Sequence, residues 1–169
     1  MSRLIPAIVV NDVTGMSGDL LPWIESAGQA ALANGVVPDG LPGQVEISIT
    51  LVGRDRIQEL NRVYHGVNRV TDVLAFSLES PTVSNDVHTD NDVHTDNSPE
   101  FLGDVYICPE VAQSHARFRG IDPSEELLRL VIHGVLHLMG YEHPEGKGRS
   151  ECEMFKLQEQ ILTDLSFSE

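Results

Sequence analysis

The stretch DPSEELLRLVIHGVLHLMGYEH, residues 122–143, predicts a buried helix with a marked start and a marked end. Asp122 is a typical N-cap, Pro123 suits the first helical position, and Glu125 can complete a capping box. Apolar residues then recur at helical spacing, at Leu127, Leu128, Val131, Ile132, Val135 and Leu138. Gly140 suits the C-terminal cap. Because the apolar stripe is wide, the helix needs other elements to cover it.

The residues on either side of this helix predict the rest of the fold. Short apolar runs with strand character occupy residues 4–10, 45–52, 72–78 and 103–107, and residues 45–52 alternate between apolar and polar. Helical patterns occupy residues 20–34, a segment that Asp55 can cap, residues 109–119 and residues 149–165. This order predicts an α/β or α+β fold, with helices packed on a small sheet of about four strands.

The composition is that of a globular chain with a strong acidic excess. The 169 residues suit one domain, spanning residues 1–169. The 11 Lys+Arg against 26 Asp+Glu give a formal charge of −15, which argues against binding nucleic acid by overall charge but permits a local basic cleft. No window approaches 18 uninterrupted apolar residues, and two cysteines do not make a disulfide framework. We therefore expect a cytoplasmic protein with no membrane partner.

A duplicated hexapeptide separates the last two predicted strands. The sequence NDVHTD occupies residues 85–90 and recurs at residues 91–96. Its polarity and lack of hydrophobic periodicity predict a flexible, solvated loop over residues 79–100. The alternative is a weak metal-binding tract that uses His88 and His94.

Three histidines near the end of the central helix predict a metal site. His133 and His137 are four residues apart, so both point the same way from one helix. A turn after Gly140 can bring His143 back to the same point. Three imidazoles leave one position of a tetrahedral ion open, which is the pattern of catalytic zinc sites. The pattern therefore predicts one Zn²⁺ ion, since imidazole ligands favour zinc over magnesium or calcium.

The residue after the first histidine separates this site from a protease site. Metzincin proteases share the histidine spacing, but they carry a glutamate general base where this chain has Gly134. Glycine cannot accept a proton, which argues against a metallopeptidase. Gly134 has two interpretations, namely space kept open beside the metal or a close crossing of the helix with a neighbour.

Four stretches of the chain resemble the YbeY family of single-strand-specific endoribonucleases. HGVLHLMGYEH (133–143) resembles the family signature His-Gly-x-Leu-His-Leu-x-Gly-Tyr-Asp-His. LNRVYHGVNRVTDVLAF (60–76), LGDVYICPE (102–110) and MFKLQEQIL (154–162) resemble three further family segments. The four motifs follow the family's order and extend the likeness over about residues 45–165.

The resemblance implies a function and a ligand set. It implies a small mixed sheet with packed helices, and zinc held by His133, His137 and His143. It further implies cleavage of single-stranded RNA in ribosomal RNA processing, at the 3′ end of the small-subunit 16S RNA, and in ribosome quality control. The expected partners are thus ribosomal RNA and the small ribosomal subunit, with no DNA.

Two positions depart from the family pattern, and several residues are candidates around the metal. His65 replaces a functional arginine of the family and is the one catalytic candidate, while Glu142 replaces an aspartate. Asp72 and Asp104 are either turn or cap carboxylates, which is the interpretation we favour slightly, or groups that orient the imidazoles or act as bases. The candidates for phosphate contact are Arg54, Arg56, Arg62, Arg69, Arg117, Arg119, Lys147 and Arg149. A non-catalytic ribosome assembly factor braced by zinc stays the main alternative.

Overall fold

A four-stranded mixed sheet is the centre of the fold. The computed structural model describes residues 5–36, 44–78 and 99–166. The strands are β1 (Ile5–Asp12), β2 (Gln44–Leu51), β3 (Val73–Ser77) and β4 (Glu100–Ile107). They lie in the order β1-β2-β4-β3, where β1, β2 and β4 are parallel and β3 runs antiparallel to β4. The predicted α/β fold with a mixed sheet of about four strands is confirmed.

In the part of the chain that the structure describes, five helices accompany the sheet. They are α1 (Leu21–Asn34), α2 (Arg54–His65), α3 (Pro109–Arg119), α4 (Pro123–Leu138) and α5 (Glu153–Ser166). Short 3-10 turns at Gly18–Leu20 and Arg149–Glu151 precede α1 and α5. Among these described elements, no helix has the length and apolar character needed to cross a membrane. The predicted NDVHTD loop, with His88 and His94, lies outside the described residues.

The sheet separates a large apolar core from a smaller one. In β2, the side chains of Val45, Ile47, Ile49 and Leu51 are all fully buried, as their alternation predicts. They face the layer formed by α1, α4 and α5. The second core lies beside α2 and contains Val52, Ile57, Leu60, Leu74, Cys108 and Val111. Helix α4 is the central element because it contacts α1, α3, α5, β3 and β4.

The helix ends differ in detail from the predicted caps. Gly53, rather than Asp55, is the N-cap of α2, so Asp55 lies in the first turn, where its charge favours the helix dipole. Asp122 caps α4 as predicted and accepts a 2.7 Å hydrogen bond from the backbone N–H of Ser124. Glu125 was predicted to complete a capping box, but its carboxylate accepts a hydrogen bond from Arg129 at 2.7 Å.

The end of α4 is a Schellman turn built on Gly140. Gly140 has a φ of +92°, which favours glycine. Its N–H donates to the carbonyl of His137 at 3.0 Å, and the N–H of Tyr141 donates to the carbonyl of Leu136 at 3.1 Å. These two bonds reverse the chain directly after the helix. The prediction that α4 ends at a C-terminal cap formed by Gly140 is therefore confirmed.

Gly134 marks the closest contact between α4 and the sheet. A Cβ atom built on Gly134 would overlap Cγ1 of Val105 on β4 and lie 3.2 Å from Cγ2 of Val73 on β3. Of the two interpretations offered by the sequence, the structure thus supports the close crossing. The absence of a side chain lets α4 lie directly on β3 and β4.

We predict that Gly134→Ala destabilises the protein, although alanine is the better helix former by about 1 kcal/mol. The added methyl group must push α4 away from Val105, and such overpacking typically costs about 1–3 kcal/mol. Gly28→Ala in α1 is the matched control, because the closest atom to its Cβ would be the side-chain end of Ile49 at 3.2 Å, and Ile8 would lie at an ordinary contact distance of 3.5 Å. Urea unfolding curves compare the two, and a Gly134→Ala midpoint at or above that of Gly28→Ala would contradict the prediction.

Candidate metal centre

The three predicted histidines converge at the C-terminal end of α4. The ligand atoms of His133, His137 and His143 all lie within 4.8 Å of one another. The Nε2 atoms of His133 and His137 are 3.1 Å apart. Two ligands of a tetrahedral zinc ion at about 2.0–2.1 Å are themselves roughly 3.3 Å apart. The cluster therefore has the dimensions of a three-ligand metal site.

The outer nitrogen of each imidazole contacts a carbonyl oxygen. Nδ1 of His133 donates to Oε1 of Gln158 at 2.7 Å, and Nδ1 of His137 donates to the carbonyl of Tyr141 at 2.9 Å. Nδ1 of His143 lies 3.2 Å from the carbonyl of Pro144. Because carbonyl oxygens only accept, these contacts keep the proton on Nδ1 and leave Nε2 with a free lone pair.

Burial keeps the two helical histidines neutral. It lowers the pKa of His133 from its usual 6.5 to about 4, although the bond with Gln158 acts in the opposite direction. Burial also lowers the pKa of His137, opposed by its bond with the Tyr141 carbonyl. The two Nε2 lone pairs thus face each other at 3.1 Å without a proton to share. A bound cation would relieve their repulsion, so the residues present fit a metal ion.

The histidines form one wall of an open cleft with a volume of about 950 Å³. The cleft leaves space in front of the cluster for a substrate. Of the residues singled out in the sequence, those lining it include His65, Arg69, Asp72, Arg119, Glu142 and Arg149. Asn61 places Arg69 beside the cleft by donating to its carbonyl at 2.9 Å. The candidate catalytic histidine and three candidate phosphate contacts thus share one surface with the metal cluster.

The two aspartates suggested as partners of the imidazoles form no hydrogen bond with them in the part of the chain that the structure describes. Asp72 lines the cleft, but its Oδ1 accepts from the backbone N–H of Val73 at 2.8 Å and from Thr71 at 3.2 Å. Asp104 follows the alternation of β4, so it points to the sheet face opposite Val105 and α4. The role predicted for these carboxylates is filled by Gln158 and two backbone carbonyls.

Several of the predicted basic contacts also lie elsewhere. Arg54 pairs with Glu110 at 3.2 Å, and Arg56 pairs with Glu59 at 2.6 Å, both on the protein surface. These four residues are not among those lining the cleft, and the same holds for Arg62, Arg117 and Lys147. Most of the basic residues that the sequence suggested for phosphate contact therefore lie on solvent-exposed surfaces such as that of α2, not in the cleft.

Two polar residues of the site were missed in the sequence. Gln158 is 1% exposed and shares the inward face of α5 with Met154 and Ile161. A polar residue at an apolar position of an amphipathic helix was the sequence feature that could have indicated its role. Arg129 is 8% exposed and occupies the cleft-facing side of α4. Nothing in its spacing distinguished Arg129 from a solvated helix residue.

Arg129 joins the histidine cluster to a network of charged side chains. Its guanidinium bonds to carboxylates of three residues at 2.7–2.8 Å, namely Glu125, Glu126 and Glu159. Burial disfavours the charge, yet these carboxylates raise the pKa of Arg129 above its usual range. Glu159 also accepts from Nε2 of Gln158 at 3.0 Å, which orients the Oε1 of Gln158 toward His133. A continuous chain of hydrogen bonds thus runs from His133 to Arg129.

This α/β fold, with three convergent imidazoles on the wall of an open cleft, is the arrangement of a metal-dependent hydrolase. The sequence model described as endoribonuclease YbeY matches residues 19–166. The chain therefore belongs to the YbeY endoribonuclease family, whose members are hydrolases acting on RNA. The resemblance found in the sequence is confirmed.

Curated relatives and a solved structure agree with this assignment. The endoribonuclease YbeY of Limosilactobacillus fermentum is 37% identical over 151 residues, covering 89% of this chain and 93% of that protein. The endoribonuclease YbeY of Brevibacillus brevis is 40% identical over 126 residues, covering 74% and 77% respectively. A solution structure of a Thermotoga maritima protein aligns with a TM-score of 0.57 and 29% identity, covering 95% of this chain and 89% of that one.

We predict that Gln158→Met weakens metal binding by about 10- to 100-fold while keeping the core filled. Methionine has a similar volume but cannot accept the Nδ1 proton of His133. Competition with a chromogenic chelator measures the affinity. Gln160→Met is the matched control, because Gln160 lies exposed on the same helix and bonds to Asp164. Equal affinities for the two variants would show that Gln158 does not orient the ligand.

We also predict that the metal-free protein loses stability in mild acid. Between pH 6.5 and about 4, the unfolded chain binds a proton that folded His133 does not, so stability falls as the pH falls through this window. The loss from this residue reaches about 3 kcal/mol at most. Unfolding of chelator-treated protein at pH 7 and pH 5 measures it. His133→Gln, which cannot titrate, should show a smaller difference between the two pH values.

Proposed function

We propose that the chain is a zinc-dependent endoribonuclease that cuts single-stranded RNA. Its proposed role is the maturation of small-subunit ribosomal RNA at the 3′ end, together with ribosome quality control. The observation that supports this most is the convergence of three bare Nε2 atoms on an open cleft, in a member of an endoribonuclease family.

Zinc is the proposed ion because all three ligands are imidazoles. Neutral imidazole suits zinc, whereas magnesium and calcium prefer oxygen ligands. His133, His137 and His143 would hold the ion. When bound, zinc would polarise a phosphoryl oxygen and acidify a coordinated water molecule.

The residues of the chain itself bind and orient the substrate. The cleft is open in front of the metal cluster, and the guanidinium groups on its wall attract phosphates. Gln158 holds the ring of His133 in position through its 2.7 Å bond. His65 lines the same cleft, with its ring stacked on Phe76 at 5.7 Å, and is the candidate to move a proton or present partial charge to the RNA.

A peptidase is disfavoured by packing as well as by sequence. The position of the protease general base is taken by Gly134, and a side chain there would collide with Val105 on β4. A glutamate at this position would therefore have to displace α4 from β4. The position that carries the general base in the protease motif therefore has no carboxylate here.

A zinc-braced assembly factor without activity is the second candidate function. The bond between His133 and Gln158 ties α4 to α5, and His143 would anchor the following loop to the same ion. On this alternative the metal stabilises the fold, and the loss of one ligand unfolds it. Folding of a ligand variant therefore separates the two candidates.

The proposed partners are ribosomal RNA and the small ribosomal subunit, in the cytoplasm. A formal charge of −15 repels free RNA over long distances, so a ribosomal surface that delivers the strand would overcome this barrier. Both cysteines are free, which suits a reducing compartment. We propose neither DNA nor membranes as partners.

We predict that purified protein loaded with zinc cleaves an unstructured RNA, leaves the same RNA intact in a duplex, and does not degrade an unfolded protein. A chelator should abolish cleavage, and added zinc should restore it. His143→Ala should remain folded, because this histidine lies at the cleft surface, but lose at least about 100-fold in activity. Circular dichroism and metal analysis accompany the assay.

The other outcomes identify the other candidates. Folded wild type that holds zinc but cuts no RNA, with a His143→Ala variant that unfolds, would favour the assembly factor. Chelator-sensitive cleavage of the protein substrate, with RNA left intact, would favour the peptidase.

A further inference from the structure

The arginines that line the cleft differ in how they are neutralised. Arg119 pairs with Glu126 at 2.9 Å, and Arg129 bonds to three carboxylates. Within residues 5–36, 44–78 and 99–166, Arg69 and Arg149 form no ion pair. Carboxylates therefore satisfy the first two, whereas the last two keep their full charge for a ligand.

Arg149 is the free arginine that is fixed next to the histidines. Cζ of its guanidinium lies 5.0 Å from the centroid of the Phe155 ring. The same ring lies 5.4 Å from the ring of His143 and 5.7 Å from that of His133. A single aromatic side chain thus joins the guanidinium to two of the three candidate ligands.

A glycine and a short 3-10 turn precede α5 and determine the position of Arg149. Gly148 precedes it with a φ of +89°, and Arg149 begins the 3-10 turn Arg149–Glu151. The turn joins the histidine loop to α5. Because stacking on Phe155 restricts the guanidinium to few orientations, less side-chain entropy is lost when it binds a ligand.

Arg149 also lacks a neutralising partner. Among the described residues, no carboxylate forms an ion pair with its guanidinium, so its charge has no anion to balance it. A phosphodiester at the metal cluster would supply that anion.

We propose that Arg149 is a catalytic arginine, whose guanidinium binds the non-bridging oxygens of the phosphate to be cut. This proposal rests on the proposed RNA cleavage. The planar guanidinium can donate two parallel hydrogen bonds to a phosphate. In phosphoryl transfer, negative charge is spread over those oxygens in the transition state, and a positioned arginine stabilises it.

The test compares Arg149→Ala and Arg149→Lys with Arg117→Ala as the control. Arg117 is exposed on α3 and does not line the cleft, so both alanine variants lower the net charge equally. Zinc-loaded proteins are assayed for kcat/KM on a single-stranded RNA. Binding of a non-cleavable 2′-O-methyl oligonucleotide is measured by fluorescence anisotropy over a series of salt concentrations.

We expect Arg149→Ala to retain zinc but lose about 10- to 100-fold in kcat/KM, the effect of one charged hydrogen-bonding group. The slope of log affinity against log salt should fall by about 0.7, the value for one phosphate contact on a single strand. Arg149→Lys should keep the slope but lose part of kcat/KM, because lysine lacks the planar fork. Arg117→Ala should match wild type in both measurements.

The cleavage assay and the salt dependence of binding distinguish a failure of this proposal from a failure of the proposed function. If wild type cuts no RNA, the proposed function fails, while the salt slope still tests the phosphate contact. If wild type cuts RNA and Arg149→Ala keeps the wild-type slope, the contact is refuted even if activity falls, because Arg149 would then only support the loop.

Discussion

The contact between Gly134 and Val105 determines where the whole site lies. Helix α4 can rest on β3 and β4 only because Gly134 has no side chain, and α1, α3 and α5 then pack around α4. His133 immediately precedes this contact, so the depth of the helix in the core also sets the burial of the first candidate ligand. The residue that permits close packing is at the same time the residue that leaves no room for a protease base.

Burial and hydrogen bonding act together to prepare the histidines for a metal. Burial removes the competing protons from His133 and His137, while Gln158 and the Tyr141 carbonyl hold the remaining proton on Nδ1. The Schellman turn that ends α4 also supplies that carbonyl, since it places Tyr141 back over the last helical turn. One turn therefore both ends α4 and orients the ring of His137.

The sequence predicted the parts of the site that depend on local spacing. The helix over Pro123–Leu138, the four-residue separation of His133 and His137, and the stop at Gly140 follow from helical periodicity and glycine conformation, and the structure contains all three. Gln158 and Arg129 were missed because their roles depend on how α4 and α5 pack together. Asp104 was misplaced because its motif gives the strand but not the face of the sheet, which the neighbouring Val105 decides.

The distribution of charge shows where an acidic chain would hold the RNA phosphate of the proposed function. Exposed charges interact over about 8 Å at physiological ionic strength, so the formal charge of −15 acts mainly on approach, and contacts within the cleft act on bound RNA. Within the cleft, carboxylates neutralise Arg119 and Arg129, which then serve the packing of α3, α4 and α5. The remaining positive charge is concentrated in a few unpaired groups. On the proposed function, an RNA strand would therefore gain little from most of the surface, and the gain would be greatest for a phosphate held between Arg149 and the histidine cluster.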